Sequence, residues 1–241
     1  LFVEQIVQIL HIPGLRRFSD RDYPFAFATG NRFIGTFENY FAGEILEWQE
    51  KNDPRLNKLY KQLNELKLTS HVSASIGTET EIKLSVGRTL NSSNTDLVNI
   101  ADVGFGVSQV LPVLVALLVA EPEQLVYIEQ PELHLHPRAQ VALAQVLADA
   151  ANRGVRVVIE THSDLVLLGI QTLVAEKKLA PENVIFHWFK RDDEGCTKVT
   201  PTDLDEMGAY VDDFPEDFAE VEFRADSRYL DAVGKRRVGQ E

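Results

Sequence analysis

The stretch LVYIEQPELHLHP, residues 125–137, decides the fold of this 241-residue chain. Its mostly apolar start ends directly in Glu129, and such a run predicts a buried β-strand over residues 125–129. The residues after it are more polar and titratable than a strand end needs for folding. Because ligands of open α/β sheets bind at the carboxyl ends of the strands, we expect chemistry at this edge.

A second apolar run, residues 155–159, ends in the same way. It leads into Glu160, and His162 and Asp164 follow closely. One predicted helix, starting at Pro137, separates the two runs. Both strand ends should therefore face one edge of a parallel sheet. Two such clusters on consecutive strands favour a functional site over isolated structural residues.

The rest of the pattern predicts the fold class. A helix at residues 165–179 and strands at 184–190 and 196–200 extend the alternation of strand and helix. Residues 36–66 predict a helical hairpin, and residues 70–87 alternate apolar and polar positions as a β-hairpin does. The prediction is an α/β protein with a mainly parallel sheet, flanking helices, and a helical and β-hairpin insertion.

The segment GFGVSQ, residues 104–109, precedes a strongly apolar run. We predict a buried helix over residues 108–120, with Pro112 in its first turn, where proline is tolerated. Small residues before a helix let the main chain approach a ligand closely, and the free N–H groups at a helix start favour a phosphate. Alone this signal is weak, but its position just before the Glu129 strand strengthens it.

The N-terminal third carries less information. Residues 1–10 have apolar positions near helical spacing and predict a short helix, which Pro13 and Gly14 would end. Residues 18–35 predict a loop held to the body by its aromatic side chains; stacking on nucleic-acid bases is the other interpretation of such a loop. A short strand is predicted at residues 97–100.

Composition limits the function classes. A net charge of −13 argues against a surface that grips duplex DNA, although residues 203–231 hold 11 acidic residues against two arginines, a net of −9, so the excess is concentrated there. The single cysteine, Cys196, excludes an internal disulfide and fits a reducing, cytoplasmic location. The longest apolar run, residues 110–120, is too short to span a membrane, and no signal-peptide pattern opens the chain.

In this order the motifs resemble the nucleotide-binding domain of ABC-type ATPases, in the OLD-like, AAA-labelled branch near SMC and Rad50. GFGVSQ resembles the signature motif, LVYIEQPE the Walker B motif, HLHP the D-loop and ETHSD the switch-histidine motif. The HIPGLR segment and the acidic tail resemble bacterial members with a C-terminal domain of unknown function. The resemblance therefore covers most of the chain, more loosely outside residues 102–164.

The resemblance implies a P-loop NTPase fold, ATP and Mg²⁺ as cofactors, and a homodimer that closes around ATP. Glu129 would hold Mg²⁺ through water, and His162 would sense the γ-phosphate and position the attacking water. The cofactor-binding residues would be those of the signature motif, which contact the γ-phosphate bound to a partner subunit, and those of the D-loop at the dimer seam: Gly104, Gly106, Ser108, Gln109, His134 and His136. The family further implies a bacterial DNA-linked process such as phage defence, in which other regions would reach nucleic acid or an effector nuclease.

Two features depart from the family pattern. Gln130 stands where typical members have the catalytic glutamate; glutamine can orient water but cannot accept its proton. Hydrolysis is then slow, or Glu132 or Glu160 substitutes. In addition, no G-x-x-x-x-G-K-[ST] occurs, and the only Gly-Lys pair is at residues 234–235. We therefore expect a missing N-terminal P-loop lobe.

The predicted domain organisation follows from these motifs. Residues 1–200 would form the C-terminal part of the ATPase domain, with the catalytic motifs in the lobe of residues 102–200. Residues 201–241 would form an acidic appendage.

Two alternatives stay open at this point. The chain could be a nucleotide-gated dimerisation module with little hydrolysis, which Gln130 favours. It could also be a metal-dependent hydrolase whose ligands are His134, His136, His162 and Asp164. The second alternative leaves GFGVSQ unexplained.

Overall fold

The computed structural model describes residues 9–16, 20–27, 33, 35–90, 96–212, 227–230 and 232–233. The chain divides into two compact units, Leu1–Ile170 and Gln171–Glu241. The described strands are β1 (Leu10–Ile12), β2 (Tyr23–Pro24), β3 (Val72–Thr78), β4 (Glu81–Gly87), β5 (Leu97–Asn99), β6 (Leu125–Glu129), β7 (Arg156–Glu160), β8 (Ile185–Arg191) and β9 (Thr197–Asp203). The described α-helices are α1 (Phe41–Lys51), α2 (Pro54–Glu65), α3 (Phe105–Val119), α4 (Pro137–Asn152) and α5 (Asp164–Ala175).

A parallel sheet with the strand order β1–β6–β7 forms the centre of the first unit. One face of this sheet is packed: Val126 and Ile128 are fully buried and belong to one hydrophobic core with helices α3 and α4. Residues at alternate positions point to the other face. There Tyr127 and Glu129 are partly exposed, and Val158 is 48% exposed. The predicted α/β class with a parallel sheet and flanking helices is confirmed.

The insertion has the predicted form. Helices α1 and α2 follow one another, with Asp53 capping α2 by accepting a hydrogen bond from the Arg55 N–H at 2.8 Å and Pro54 in the first helical position. Strands β3 and β4 pair as an antiparallel hairpin, and β2 and β5 also pair with β4. The insertion thus adds an antiparallel sheet to the parallel one.

The N-terminal prediction is wrong where the structure describes it. Leu10 lies in strand β1 rather than in a helix, and residues 1–8 lie outside the described part of the chain. Leu10 and Ile12 are 1% and 0% exposed, because they alternate into the core while β1 pairs in parallel with residues 126–128. Burial with a period of two, in a three-residue segment, outweighed the apparent helical spacing.

Helix α3 also begins earlier than predicted. It starts at Phe105 with Gly104 as its N-cap residue, so Pro112 lies inside the helix and not in its first turn. Pro112 removes one main-chain donor there. Near-complete burial of the residues around it offsets that loss, since the other residues of 110–117 are at most 1% exposed.

In the second unit, strands β8 and β9 form their own antiparallel hairpin and do not extend the parallel sheet. The Asp192 carboxylate accepts hydrogen bonds from the N–H groups of Glu194 and Cys196, and Gly195 has a φ of +82°. This tight turn reverses the chain directly, so no crossover helix is available for parallel pairing. Among the described residues, no helix is both long and apolar enough to cross a membrane.

Candidate functional site

Strands β6 and β7 bring the two predicted polar clusters to the same edge of the sheet. Glu129 is the register partner of Glu160, and the N–H of Gln130 donates to the Glu160 carbonyl at 2.7 Å, one residue beyond the strands. Gln130 then adopts a left-handed φ of +45°. A non-glycine residue adopts this conformation at a cost, which its surroundings must offset. The chain therefore turns sharply just after Glu129.

The carboxylate of Glu129 is held by residues 11–16, which we call the strap. His11 Nε2 lies 2.9 Å from Oε1, and the N–H of Gly14 donates to Oε2 at 2.9 Å. The hydrogen bond from Gly14, and then that from His11, lower the pKa of Glu129 below its usual value. Glu129 is thus kept ionised at the end of its strand.

Gly14 allows this close approach because it has no side chain. A Cβ atom on Gly14 would lie 3.3 Å from Glu129 Oε2 and 3.5 Å from the side-chain oxygen of Gln130. The first distance is tighter than most Cβ contacts and the second is an ordinary van der Waals contact, so a larger residue would require the strap or the Glu129 carboxylate to shift slightly. The glycine therefore has a packing reason at this position.

Arg16, at the end of the strap, donates to three main-chain carbonyls. Nη2 lies 2.6 Å from the Glu129 oxygen and 3.0 Å from the Gln130 oxygen, and Nη1 lies 3.2 Å from the Gln109 oxygen. The side chain is buried, with 7% of the residue exposed. Burial lowers the pKa of Arg16, and the nearby charges of Glu38, Glu132 and Glu129 oppose that shift.

Glu160 has a different environment. Its Oε2 accepts a hydrogen bond from the Tyr127 hydroxyl at 3.2 Å, and the Tyr127 ring stacks on His11 with centroids 5.2 Å apart. Glu160 is exposed and receives this bond from a neighbouring strand rather than from the strap.

Glu132 supports the segment that carries His162. Its Oε1 accepts from the His162 N–H at 3.1 Å, while its Oε2 is buried without a hydrogen-bond partner among the described residues. Next to His162, the Ser163 hydroxyl donates to the Gln140 side chain at 2.7 Å. The same hydroxyl accepts a hydrogen bond from the Val166 N–H and so caps the start of helix α5. The His162 side chain is exposed, and the hydrogen bonds of Glu132 and Ser163 hold the segment that carries it.

The GFGVSQ segment forms the start of helix α3, and its residues divide into two groups. Gly104 and Phe105 are exposed at the open end of the helix, and no side chain caps it. Ser108 and Gln109 are 6% and 4% exposed, and the Ser108 hydroxyl donates to the Phe105 carbonyl at 3.0 Å. The open end therefore presents main chain, with Ser108 turned inward.

The predicted D-loop residues lie beside this helix start. The His134 ring is 5.8 Å from the Phe105 ring, and a Cβ on Gly106 would lie 3.3 Å from the His134 carbonyl oxygen. His136 has a local structural role, because its Nδ1 accepts from the Arg138 N–H and caps helix α4. The structure thus brings GFGVSQ and HLHP together in one protomer.

The strap is the part of the site that the sequence did not predict. The sequence of residues 11–16 predicts only the end of a helix, although this HIPGLR segment resembles the family. The hydrogen bond from Gly14 to Glu129 joins residues 115 positions apart. The available signal was a glycine and an arginine beside a three-residue apolar alternation, which is too short to identify a strand.

A comparison with protein families shows the class of protein: this chain contains an AAA domain. Residues 13–168 match the model of the family described as "AAA domain, putative AbiEii toxin, Type IV TA system". The match runs from the strap to helix α5 and covers more than half of the chain, so the chain belongs to this family. No protein of curated function matches the sequence.

Solved structures with similarity to the chain include three from work on SMC proteins. One is the Smc head domain with an extended coiled coil, bound to the C-terminal domain of ScpA, from Pyrococcus furiosus; identity is 10%, coverage is 64% of this chain and 36% of that chain, and the TM-score is 0.45. Another comes from work on ATP-driven dimerization and DNA-stimulated activation of SMC ATPases, with 11% identity, 64% and 87% coverage and a TM-score of 0.46. The SmcHead bound to the C-winged helix domain of ScpA has 10% identity, 69% and 49% coverage and a TM-score of 0.49. The chain spans less than half of the first and third of these chains.

The residues at Glu129 fit the Mg²⁺ that this class of ATPase generally uses. A magnesium ion typically takes one or two carboxylates from the protein and keeps several waters. Glu129 is ionised, and each of its oxygens accepts one hydrogen bond from the described residues, which leaves a lone pair on each for water. The alternative metal-hydrolase site is not formed: among the described residues, which include His134, His136, His162 and Asp164, no three or more His, Cys, Asp or Glu side chains are grouped to hold a metal.

Proposed function

We propose that this chain is the C-terminal lobe of an ATP-hydrolysing domain that dimerises around ATP. The observation that carries the proposal is the strap-held carboxylate of Glu129 at the carboxyl end of β6. The residues that follow β6 contact the segment of His162, through Glu132, and the start of α3, through His134. These groups belong to segments far apart in sequence, and the fold gathers them at one edge of the sheet. The family to which the chain belongs makes nucleotide the ligand that this edge fits best.

In this proposal, Glu129 holds Mg²⁺ through water. When bound, the ion neutralises charge on the β- and γ-phosphates and orients them. The protein's own contribution is to keep Glu129 ionised, which the N–H of Gly14 and the ring of His11 achieve. Because Gly14 donates from the main chain, its contribution does not depend on pH.

His162 and Gln130 position the attacking water. The hydrogen bond from the His162 N–H to Glu132 fixes the segment that carries the exposed imidazole. Gln130 follows Glu129 in a left-handed turn and can orient water through its amide, but it cannot take a proton from it. Glu132 and Glu160, the two candidate substitutes, already hold the His162 N–H and the Tyr127 hydroxyl. We infer that hydrolysis is slow.

The dimer contact would be made by the open start of helix α3. The main chain of residues 104–106, and not the Ser108 hydroxyl, would face the γ-phosphate bound to a partner subunit, because Ser108 is turned inward. His134 would lie at the same seam beside Phe105. The β-phosphate needs a Walker A segment, which no stretch of these 241 residues supplies, so we propose that a P-loop lobe outside them completes the site.

The family description supports a proposal for the biological setting. Its description names a putative toxin of a type IV toxin–antitoxin system, which fits a role in bacterial defence. With a net charge of −13, this chain does not favour a direct grip on duplex DNA. Any nucleic acid or effector nuclease would therefore be engaged through other regions or partners.

A second candidate function, a nucleotide-gated clamp with little hydrolysis, is favoured by Gln130. Steady-state ATP turnover of the full-length native protein and of Gln130→Glu distinguishes the two. As the slow hydrolase, the native protein turns over measurably, and the variant gains about 100-fold from the restored base. Turnover that is absent in the native protein and appears only in Gln130→Glu would identify the clamp. Absence of ATP binding in both proteins would contradict the whole proposal.

A further inference from the structure

Arg16 lies where two motifs of the site meet. Its guanidinium joins the carbonyls of Glu129 and Gln130, in the turn after β6, to the carbonyl of Gln109, in the second turn of helix α3. The segments after β6 and at the start of α3 carry the predicted Walker B and signature residues. A single side chain therefore connects both halves of the site through main-chain atoms.

The contact requires an arginine. A guanidinium has five N–H donors in a rigid planar fork, so it can reach carbonyls on two elements at once. A lysine ammonium has its three donors on one nitrogen and cannot span the same positions. The fork thus fixes the distance between the two elements as well as contacting each.

Stability alone does not explain this buried cation. Desolvation opposes its charge, and its Nε is buried without a hydrogen-bond partner among the described residues. A buried donor without a partner costs free energy that an apolar side chain would avoid. Local costs of this kind are typical of functional sites.

The hydrogen bond from Arg16 to the Gln130 carbonyl matters for the conformation of the turn after β6. Its left-handed φ of +45° is retained by three hydrogen bonds: its N–H donates to Glu160, and its carbonyl accepts from Arg16 and from the Leu133 N–H. Of these three, only the bond from Arg16 comes from a side chain that also contacts α3. A shift of α3 is therefore transmitted to the peptide of Gln130.

We propose that Arg16 is a positioning residue that couples helix α3 to the turn carrying Gln130, so that the signature segment and the water-orienting position move together. This inference rests on the proposed ATPase function for its catalytic consequence. The mechanical coupling itself is independent of nucleotide.

Arg153 provides a matched control. It also donates its guanidinium to main-chain carbonyls, of Leu117 on helix α3 at 2.5 Å and of Asp149 at 3.2 Å. Burial lowers its pKa too. Its contact with α3 lies at the opposite end of the helix from the site. Arg153→Lys therefore removes a comparable hydrogen bond to helix α3 and leaves the contacts of the turn after β6 unchanged.

The test compares the native full-length protein with Arg16→Lys and Arg153→Lys. Hydrogen exchange without nucleotide should show that Arg16→Lys speeds exchange about 10-fold at residues 105–109 and also at residues 130–133. Arg153→Lys should leave both segments unchanged. In ATP turnover, Arg16→Lys should lower kcat about 10-fold or more at constant KM, since misplacement near the reacting groups affects the chemical step.

The outcomes separate the inference from the proposed function. Equal exchange and equal kcat in the two lysine variants would overturn the coupling. If no protein hydrolyses ATP, the proposed function fails, and the exchange pattern alone still decides the coupling. Arg16→Gln serves where Arg16→Lys does not fold; if neither folds, Arg16 acts in stability only and the inference is overturned.

Discussion

Glu129 and Glu160 are partners in the register of the parallel sheet, yet their surroundings differ. Each ends a short apolar strand, and each is the first carboxylate at the functional edge. Glu129 accepts a main-chain N–H and a histidine from the strap, which lower its pKa. Glu160 accepts one tyrosine hydroxyl and is exposed. Glu129 therefore has a hydrogen-bond partner on each oxygen, whereas Glu160 has one from the Tyr127 hydroxyl.

The difference shows how a fold distinguishes two similar sequence patterns. A metal-holding carboxylate must stay ionised and keep a fixed direction, and donors from a separate segment provide both. A carboxylate that acts as a base needs a proton affinity near the working pH instead. We propose Glu129 as the metal holder because two donors of the strap orient its carboxylate, whereas Glu160 has one donor, the Tyr127 hydroxyl.

The largest expected effect tests this comparison directly. Glu129→Gln should lower Mg²⁺-dependent ATP turnover roughly 100-fold, because the amide carries no charge for the ion. Glu160→Gln should change turnover by less than about 3-fold, because its contact is with Tyr127 rather than with the strap. Turnover of both variants is measured across a Mg²⁺ titration. A loss in Glu160→Gln as large as that in Glu129→Gln would mean that Glu160 takes part in the reaction.

Sequence patterns located both carboxylates, because an apolar strand ending in polar residues is a local signal. They also predicted the hairpins of the insertion and helix α4, whose start and stop residues lie within the elements themselves. Sequence patterns could not predict the strap, because its strand has only three residues and the residues that it contacts lie more than 90 positions away in the sequence. The start of α3 was misplaced for a related reason. Gly104 and Gly106 suggest a loop, whereas packing against His134 makes Gly106 part of the first turn.

A third carboxyl group, Glu44 in helix α1, extends the comparison to the protein interior. It is 6% exposed, and burial, followed by the charge of Glu47, raises its pKa to about 7 from 4.5. Below about pH 4.5 the group is protonated in the folded and unfolded states. Between 4.5 and 7 the unfolded chain releases the proton first, so the free energy of unfolding falls as the pH rises and then levels off. The sign is opposite for Glu129, whose lowered pKa contributes stability that is lost in acid.

Replacing Glu44 tests that sign. The decrease in the free energy of unfolding from pH 4.5 to pH 8 should be smaller in Glu44→Gln than in the native protein by about 2–3 kcal/mol. Urea titrations at both pH values measure it, and groups unaffected by the substitution cancel in the difference. Parallel pH profiles for the two proteins would show that Glu44 ionises freely in the folded state.

The smallest expected effect concerns the strap. In Gly14→Ala, the new methyl group would lie 3.3 Å from Glu129 Oε2, so the carboxylate or the strap must shift by a few tenths of an ångström, which disturbs the hydrogen bond from the residue-14 N–H. The carboxylate then loses part of its fixed direction, and the apparent affinity for Mg²⁺ should fall about 10-fold, as it does when an outer-shell partner of a metal ligand is changed. Leu15→Ala is the control, because Leu15 is next in the chain and 95% exposed. Mg²⁺ titration of ATP turnover measures both variants. If Gly14→Ala behaves like Leu15→Ala, the close approach of residue 14 does not orient Glu129 for the metal, and within the strap the contrast between Glu129 and Glu160 must come from the His11 contact.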